Sequence, residues 1–530
     1  MALKQMLWVL LRWVLLILAL AIMPGTASAQ ATCDPDAPLI QASIADAGAP
    51  RGEYVNYSYY QAANTVSSDG RVVAFETFFG EQSTVYFYVY ERDTCTLTTL
   101  VEIPLDSYYP RSGPSISHDG RYVVFSTSQT DLVNNDTNGK ADVFLKDLQL
   151  GTITRISLSL NGQQLSVDSF QAIMAGGGRY VVYISDYDLM RYDRQTNTRE
   201  LLLAAPDERD ISPLDITPDG RFVVFASHSD NIVPDDTNNR EDIFVYNQQT
   251  AEVTRVSIGS NNTQGNDTAY DASISANGRY VAFSSSASNL VPGDKHLTSD
   301  VFLHDRETGQ TIAVSVDSEG TPVGGSIAEI SEDGRYIAFS SSSEALLPGK
   351  PLYQSEVFIR DMITGTLLWI SNSPSGEWPN GYSDTFSFSE DGQYLAFISY
   401  ASNLVPGDDD VLCYYDSITG GPILPCYDLF LKRLPDSFEP DTPVRNLFTT
   451  STPTLTWTAV RFAALYEIQV DDNEDFSSPE YANAAIPSTQ LQVMTSALAD
   501  GLYYWRVRAI NGNGLTGLWS AVDTFVLDVP

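Results

Sequence analysis

The stretch SHDGRYVVFSTS, Ser117 to Ser128, decides the fold. It joins a polar turn ending in glycine to a run of β-branched and aromatic residues. Asp-Gly permits the positive φ angles of a tight hairpin turn. The run that follows has the composition of a buried strand. The turn returns as Ser68-Asp69-Gly70-Arg71, Gly176-Gly177-Gly178-Arg179 and Pro218-Asp219-Gly220-Arg221. It returns again as Ala276-Asn277-Gly278-Arg279, Glu332-Asp333-Gly334-Arg335 and Glu390-Asp391-Gly392-Gln393. The seven glycines lie 50, 58, 42, 58, 56 and 58 residues apart. The third copy has lost its Asp and opens the shortest interval.

Each turn leads into a strand such as Arg279–Ser285 or Arg335–Ser341, then a variable loop, then a third strand. Third strands read Asp142-Val143-Phe144-Leu145, Asp242-Ile243-Phe244-Val245, Asp300-Val301-Phe302-Leu303, Glu356-Val357-Phe358-Ile359 and Asp428-Leu429-Phe430-Leu431. Fourth strands are expected over Thr152–Leu158, Val253–Ile258 and Thr311–Val316. Four antiparallel strands repeating about every 56 residues describe a β-propeller blade. The chain is therefore read as all-β, with a seven-bladed β-propeller over residues 30–434; six or eight blades stay open because the third repeat is short. Blade seven lacks a fourth strand of its own. Leu39–Ile44 resembles Val253–Ile258 and is expected to supply it, closing the ring and protecting its edges.

The phrase SxDGRYVAF…DVFxxDxxTG, over roughly residues 39–434, resembles the WD40-like, TolB-like propeller repeats of bacterial exported proteins. The resemblance implies a binding or scaffolding role with no shared catalytic residue. After a linker at 435–442 the pattern changes. Thr454–Trp457, Leu465–Val470, Leu491–Met494, Tyr503–Ala509 and Thr524–Leu527 read as short strands of a β-sandwich over 443–530. The string TLTWTAV…YEIQVDD…YYWRVRAINGNG resembles a fibronectin type III-like domain, which implies a spacer or adhesive module.

Residues 1–29 read as a secretory signal peptide. Trp13–Met23 is apolar, and Ala27-Ser28-Ala29 is a small-residue cleavage pattern. Eleven residues at about 1.5 Å each are too short for a bilayer core of roughly 30 Å. No later stretch is apolar enough to span, so no membrane span is expected after cleavage. The formal charge of -37 argues against nucleic acid, which needs a basic footprint. It reads first as a solubilising surface.

Four cysteines follow the signal: Cys33, Cys95, Cys413 and Cys426. Export makes disulfides plausible. Cys413 and Cys426 share a loop, and Cys33–Cys95 would lock the ring closure. Two loops repeat an acidic spacing, Asp136-x-Asn138-x-x-x-Asp142 and Asp236-x-Asn238-x-x-x-Asp242, which suits Ca²⁺ oxygen ligands. The rival reading is an acid that bonds turn amides at a strand start. No other cofactor is expected. Tyr54, Tyr57, Tyr108, Tyr109, Trp378 and Tyr382 fall on the blade-to-blade connections, where aromatics stack sugars or grip a peptide.

No nucleophile elbow, zinc helix motif or phosphate loop appears. These observations lead to an exported, non-enzymatic binding or scaffolding protein for a protein or glycan at the cell envelope. The alternative is a polysaccharide lyase or glycoside hydrolase on the same propeller. Two convergent carboxylates, or clustered His, at the channel mouth would favour that alternative.

Overall fold

The computed structural model describes residues 37, 39–42, 54–55, 65–79, 84–104, 113–206, 211–294, 298–349, 354–373, 378–390, 392–405, 414–415, 422–424 and 428–434. In the C-terminal part it describes 447–448, 452–456, 463–473, 476–487, 490, 492–511 and 523–527. Among these every regular element is a strand.

Seven four-stranded antiparallel sheets make seven blades. In blade two the strands run outward from the axis as Ser115–Ile116, Tyr122–Thr127, Asp142–Asp147 and Thr152–Arg155. The next four blades repeat the order, with inner strands Ser169–Met174, Ser212–Ile216, Ala269–Ile274 and Ser326–Ile330. Blade seven takes Ser383–Phe388, Tyr394–Ser399 and Asp428–Arg433 from one end of the ring and Leu39–Gln41 from the other. Ile40 stands opposite Leu431, so the N-terminal strand closes the ring as expected.

The repeated phrase is a bracket tying two turns of one blade. In blade two, Ser117 Oγ donates to Asp119 Oδ1 (2.5 Å) and accepts from the Tyr122 amide (3.0 Å). Asp119 Oδ1 also accepts from the Arg121 amide. Gly120 holds φ of 69°, where a side chain would be strained. The Arg121 fork then grips Asp147 at 3.0 and 2.8 Å, at the end of the third strand. Arg179–Asp193, Arg279–Asp305 and Arg335–Asp361 repeat this pair.

Between blades the core is made of paired rings from the second and third strands. Phe125–Phe144, Phe225–Phe244, Phe283–Phe302, Phe339–Phe358 and Phe397–Phe430 stack at 5.5–5.8 Å, all fully buried.

One difference from the sequence reading, and one point it left open, have local causes. The outer strands end early, at Arg155, Arg255 and Ala313, because the chain must then turn inward to the next blade. Leu158, Ile258 and Val316 are left with single bridges, to Gln164, Gln264 and Pro322. The short third repeat is a whole blade. Its second and third strands are joined by only Asp186 and Tyr187, at φ of 51° and 71°.

The C-terminal part forms a five-stranded sheet (Leu447–Phe448, Asp523–Leu527, Gly501–Asn511, Ala463–Asp471, Tyr481–Pro487) and a two-stranded one (Thr454–Thr456, Gln492–Met494). Tyr503, Trp505 and Val507 share one buried face, packed with Leu455, Ile468 and Phe525. Tyr481–Pro487 escapes sequence reading because only Ile486 of it is buried.

Candidate functional site: the central channel and the loop face

The propeller has two faces. The glycine turns lie on one, here the turn face. The loops between second and third strands and the blade-to-blade connections lie on the other, the loop face.

The channel wall begins with the residue five positions before each turn glycine. Ser115, Asp215, Ser273, Glu329 and Ser387 occupy it in blades two, four, five, six and seven. Each accepts a hydrogen bond from a backbone amide of the next blade. Ser115 takes Met174 N (3.1 Å), Asp215 takes Ile274 N (2.9 Å) and Ser273 takes Ile330 N (3.3 Å). Glu329 takes Phe388 N (3.0 Å), and Ser387 takes Thr65 N (3.4 Å) across the ring closure. Five of seven blade junctions are thus laced along the axis.

Two members of this lacing are carboxylic acids. Burial pushes Asp215 up to about 6, against the amides of Ile274 and Ile216 and the Ser273 hydroxyl; the Glu332 charge adds to the rise. Burial pushes Glu329 up to about 8, opposed by the Phe388 amide and reinforced by the Asp215 charge. Glu329 Oε2 is sealed from solvent and has no hydrogen-bond partner.

One turn nearer the turn face, the residue two before each glycine points at the channel mouth. Here His118 of blade two crosses the channel. Its Nε2 is 3.0 Å from Glu332 Oε1 of blade six, and its Nδ1 is 2.8 Å from Glu390 Oε2 of blade seven. Burial works against the His118 charge. The hydrogen bond that His118 donates to Glu332, and the charges of Glu332, Glu390 and Asp215, outweigh it and raise the imidazole pKa. The crossing needs a bare backbone beneath it. A Cβ on Gly176 would lie 1.9 Å from the imidazole. The degenerate third turn is therefore where His118 passes. His118, Asp215, Glu329, Glu332 and Glu390 line one cavity of about 50 Å³.

Two convergent carboxylates and a histidine thus meet at the mouth. The sequence supplied all three inside the turn phrases but gave no reason to join them. They share one position, two before the glycine, but the other blades hold Ser68, Gly176, Pro218 and Ala276 there.

The repeated acidic loops have a cationic partner already. Arg155 Nη1 lies 3.2 Å from Asp136 Oδ1 and 3.3 Å from Asp142 Oδ2, with all three side chains 9% exposed or less. Arg255 does the same for Asp236 and Asp242, at 3.1 and 3.5 Å. Asp142 Oδ1 also accepts from Ser157 Oγ (2.5 Å), and Asp136 Oδ1 from Gln164 Nε2 (2.9 Å). Asn138 spends its side chain on Leu165 O and the Lys140 amide, and Asn238 on Gly265 O, the Arg240 amide and Asp242. A Ca²⁺ ion there would have to displace a guanidinium. The arginine stands thirteen residues after the last acid of each motif. In blade six the same offset is Trp369, whose Nε1 donates to Glu356 Oε2 (3.3 Å).

Of the aromatic residues expected on the loop face, Trp378 and Tyr382 are 38% and 40% exposed. Trp378 leans on Trp369 (4.9 Å between ring centres) and Tyr382 on Tyr400 (4.2 Å). Their loop is held by side-chain amides. Asn403 Nδ2 donates to Trp378 O (2.8 Å), and Gln354 Nε2 to Pro379 O and Gly381 O. A Cβ on Gly381 would meet the Tyr400 carbonyl at 2.5 Å, so the loop lies directly on the neighbouring backbone. Tyr57, Tyr108 and Tyr109, and the side chain of Tyr54, lie outside the described residues, as do Cys33, Cys413 and Cys426. Cys95 sits at φ of 51° in the third turn of blade one, whose second and third strands are Val72–Phe79 and Thr84–Glu91.

No family model and no curated protein matches the chain. Solved structures similar to it include oligogalacturonate lyase from Vibrio parahaemolyticus, at 12% identity and a TM-score of 0.45, covering 76% of this chain and 94% of that one. TolB from Acinetobacter baumannii is similar at 14% identity and 0.34, covering 68% and 79%. The β-propeller domain of the Trilobed protease from Pyrococcus furiosus is similar at 9% and 0.44, covering 66% and 92%. The blade count rests on the strand pairing described above.

Proposed function

We propose that this chain is an exported binding protein that uses the loop face of its propeller to hold a glycan, or a protein, at the cell envelope. Its C-terminal sheets, fibronectin type III-like in sequence, serve as a spacer or adhesive module. The observation that carries the reading is the pair Trp378 and Tyr382. Each exposes a flat ring that a second ring backs, on a loop whose carbonyls are fixed before any ligand arrives. Preorganised aromatics of this kind lose little freedom on binding and give sugars or peptides a stacking surface. The test is a glycan array, with proximity cross-linking in envelope extracts, on wild type and Trp378→Ala. Capture that the substitution abolishes supports the reading. Capture indifferent to both Trp378→Ala and Tyr382→Ala sinks it.

A second reading, carbohydrate cleavage, is favoured by the meeting of Glu332 and Glu390 at the channel mouth. Both acids contact one imidazole, so neither is a free general base in this arrangement. Release of reducing ends or unsaturated products from any polysaccharide, lost in Glu390→Gln, would move the function to this site.

A further inference from the structure

We propose that the turn-face mouth of the channel is a divalent transition-metal site built on His118 and Glu332, with Glu390 holding the imidazole. The ligand atoms of these three residues all lie within 4.8 Å of one another. Ligands side by side in a tetrahedral or octahedral shell at about 2.0–2.1 Å stand about 3.0–3.4 Å apart. His118 Nε2 and Glu332 Oε1, 3.0 Å apart, are at the short end of that range. The 2.8 Å contact of Nδ1 with Glu390 is the bond by which a metal-binding histidine gives its other N–H to a carboxylate.

An acidic cluster alone would not suffice. The independent observation is Glu329, which lines the same cavity and keeps Oε2 buried with no partner. Its other oxygen is committed to Phe388 N and Ser387 Oγ, so the residue is anchored and the free oxygen is held in place. Among the residues lining the cavity are four carboxylates, one imidazole and no lysine or arginine. Elsewhere in this propeller, at Asp136/Asp142 and Asp236/Asp242, such a concentration of acid is matched by a buried arginine. Among the residues lining this cavity the one cationic partner is His118 itself, shared between Glu332 and Glu390. A mixed imidazole and carboxylate donor set suits Zn²⁺ or Co²⁺ better than Ca²⁺ or Mg²⁺, which prefer oxygen alone.

The cation takes the place of the Nε2 proton, so binding releases it. The site lies on the turn face and does not depend on the loop-face reading. Capture by Trp378 should be indifferent to chelator, which keeps the two failures apart.

The experiment uses the full exported chain, stripped with chelator, and titrates Zn²⁺ calorimetrically at pH 6.5 in two buffers of different ionisation enthalpy. One equivalent should bind, with release of a substantial fraction of a proton. Co²⁺ should give a visible ligand-field band, and Ca²⁺ should give no saturable heat. Glu332→Gln keeps the hydrogen-bonding shape and should fold with an unchanged melting curve while binding Zn²⁺ at least tenfold more weakly. His118→Asn should abolish the Co²⁺ band. Asp472→Asn, an exposed member of the acidic group Asp471/Asp472/Glu480, is the control and should change neither. Absence of saturable Zn²⁺ binding overturns the proposal. So does Zn²⁺ binding that survives unchanged in both Glu332→Gln and His118→Asn.

Discussion

Replacing Arg155 by methionine tests how the acidic loops are neutralised. Methionine keeps the aliphatic stem but removes the guanidinium from between Asp136 and Asp142. Those side chains are 1% and 0% exposed, so bulk solvent does not screen their charges. Breaking one partner out of a buried ionic group costs about 3–5 kcal/mol. Here the remaining bonds, Ser157 to Asp142 and Gln164 to Asp136, persist and place the expected loss near the lower end, about 3 kcal/mol. The loss should depend on pH. Burial already raises the Asp142 pKa; Ser157 and Arg155 lower it and Asp136 raises it. An acid raised in the folded state contributes stability below its unfolded pKa and loses it as pH climbs through the folded value. Without Arg155 the folded value climbs further, so the variant should lose more at pH 7.5 than at pH 5.0. The vacated position then becomes a cation site. At a hundredfold excess over its Kd, Ca²⁺ should return about 2.7 kcal/mol. Calorimetric melting of wild type and Arg155→Met, with and without Ca²⁺, reads all three effects. Arg255→Met in blade four is the internal replicate. Wild type stabilised by Ca²⁺, or Arg155→Met costing under about 1 kcal/mol, would refute the reasoning.

Other perturbations follow the same logic. Leu39 packs into the cluster shared by blades six and seven, and Ile40 into the cluster shared by blades seven and one. Leu39→Ala and Ile40→Ala should each cost about 2–4 kcal/mol in calorimetric melting and should add in the double variant; less than additive loss would mean the strand is not held from both sides. Glu329→Gln should raise the melting temperature at pH 8 and change it little at pH 5, since Glu329, raised to about 8, loses its stabilising protonated form across that window. A flat difference between the two pH values would contradict the buried acid. Ala37 packs in the same cluster as Leu97, which brings the chain after Cys33 to the turn that holds Cys95. Intact mass of the protein purified under oxidising conditions should show two disulfides, with Cys33–Cys95 in the peptide map, and closing that loop is worth about 4 kcal/mol in the chain-entropy picture. Four free thiols would reject the pairing.

The ring was legible because its signal is local and repeated. Ser117, Asp119, Gly120 and Arg121 make one hydrogen-bonded bracket, so the set recurs whole in blades one and six and with single changes (Thr217, Asn277, Gln393) in blades four, five and seven. Leu39–Gln41 was legible because a blade without its fourth strand demands one. The channel mouth was not. His118, Glu332 and Glu390 occupy equivalent positions, but in other blades that position holds Ser68, Gly176, Pro218 and Ala276, so no pattern marks it. Chemistry there comes from side chains that meet across the axis, and only the closed ring brings them together. The arginine partners of the acidic loops were hidden for a similar reason. Asp136 and Asp142 were read with their own loop, whereas Arg155 comes from the outer strand beyond a further turn.

The closing strand also sets a clock. Ile40 is made early and Leu431, its partner, almost four hundred residues later. At synthesis rates of about 5–20 residues per second, that interval is about 20–80 s. For that time Leu39–Gln41 has no edge to join, and blades one to six have no seal. A nascent chain of this design must be kept from pairing with other strands until its last blade is out. Among the described strands of the propeller, the first to be made is the last to find its place.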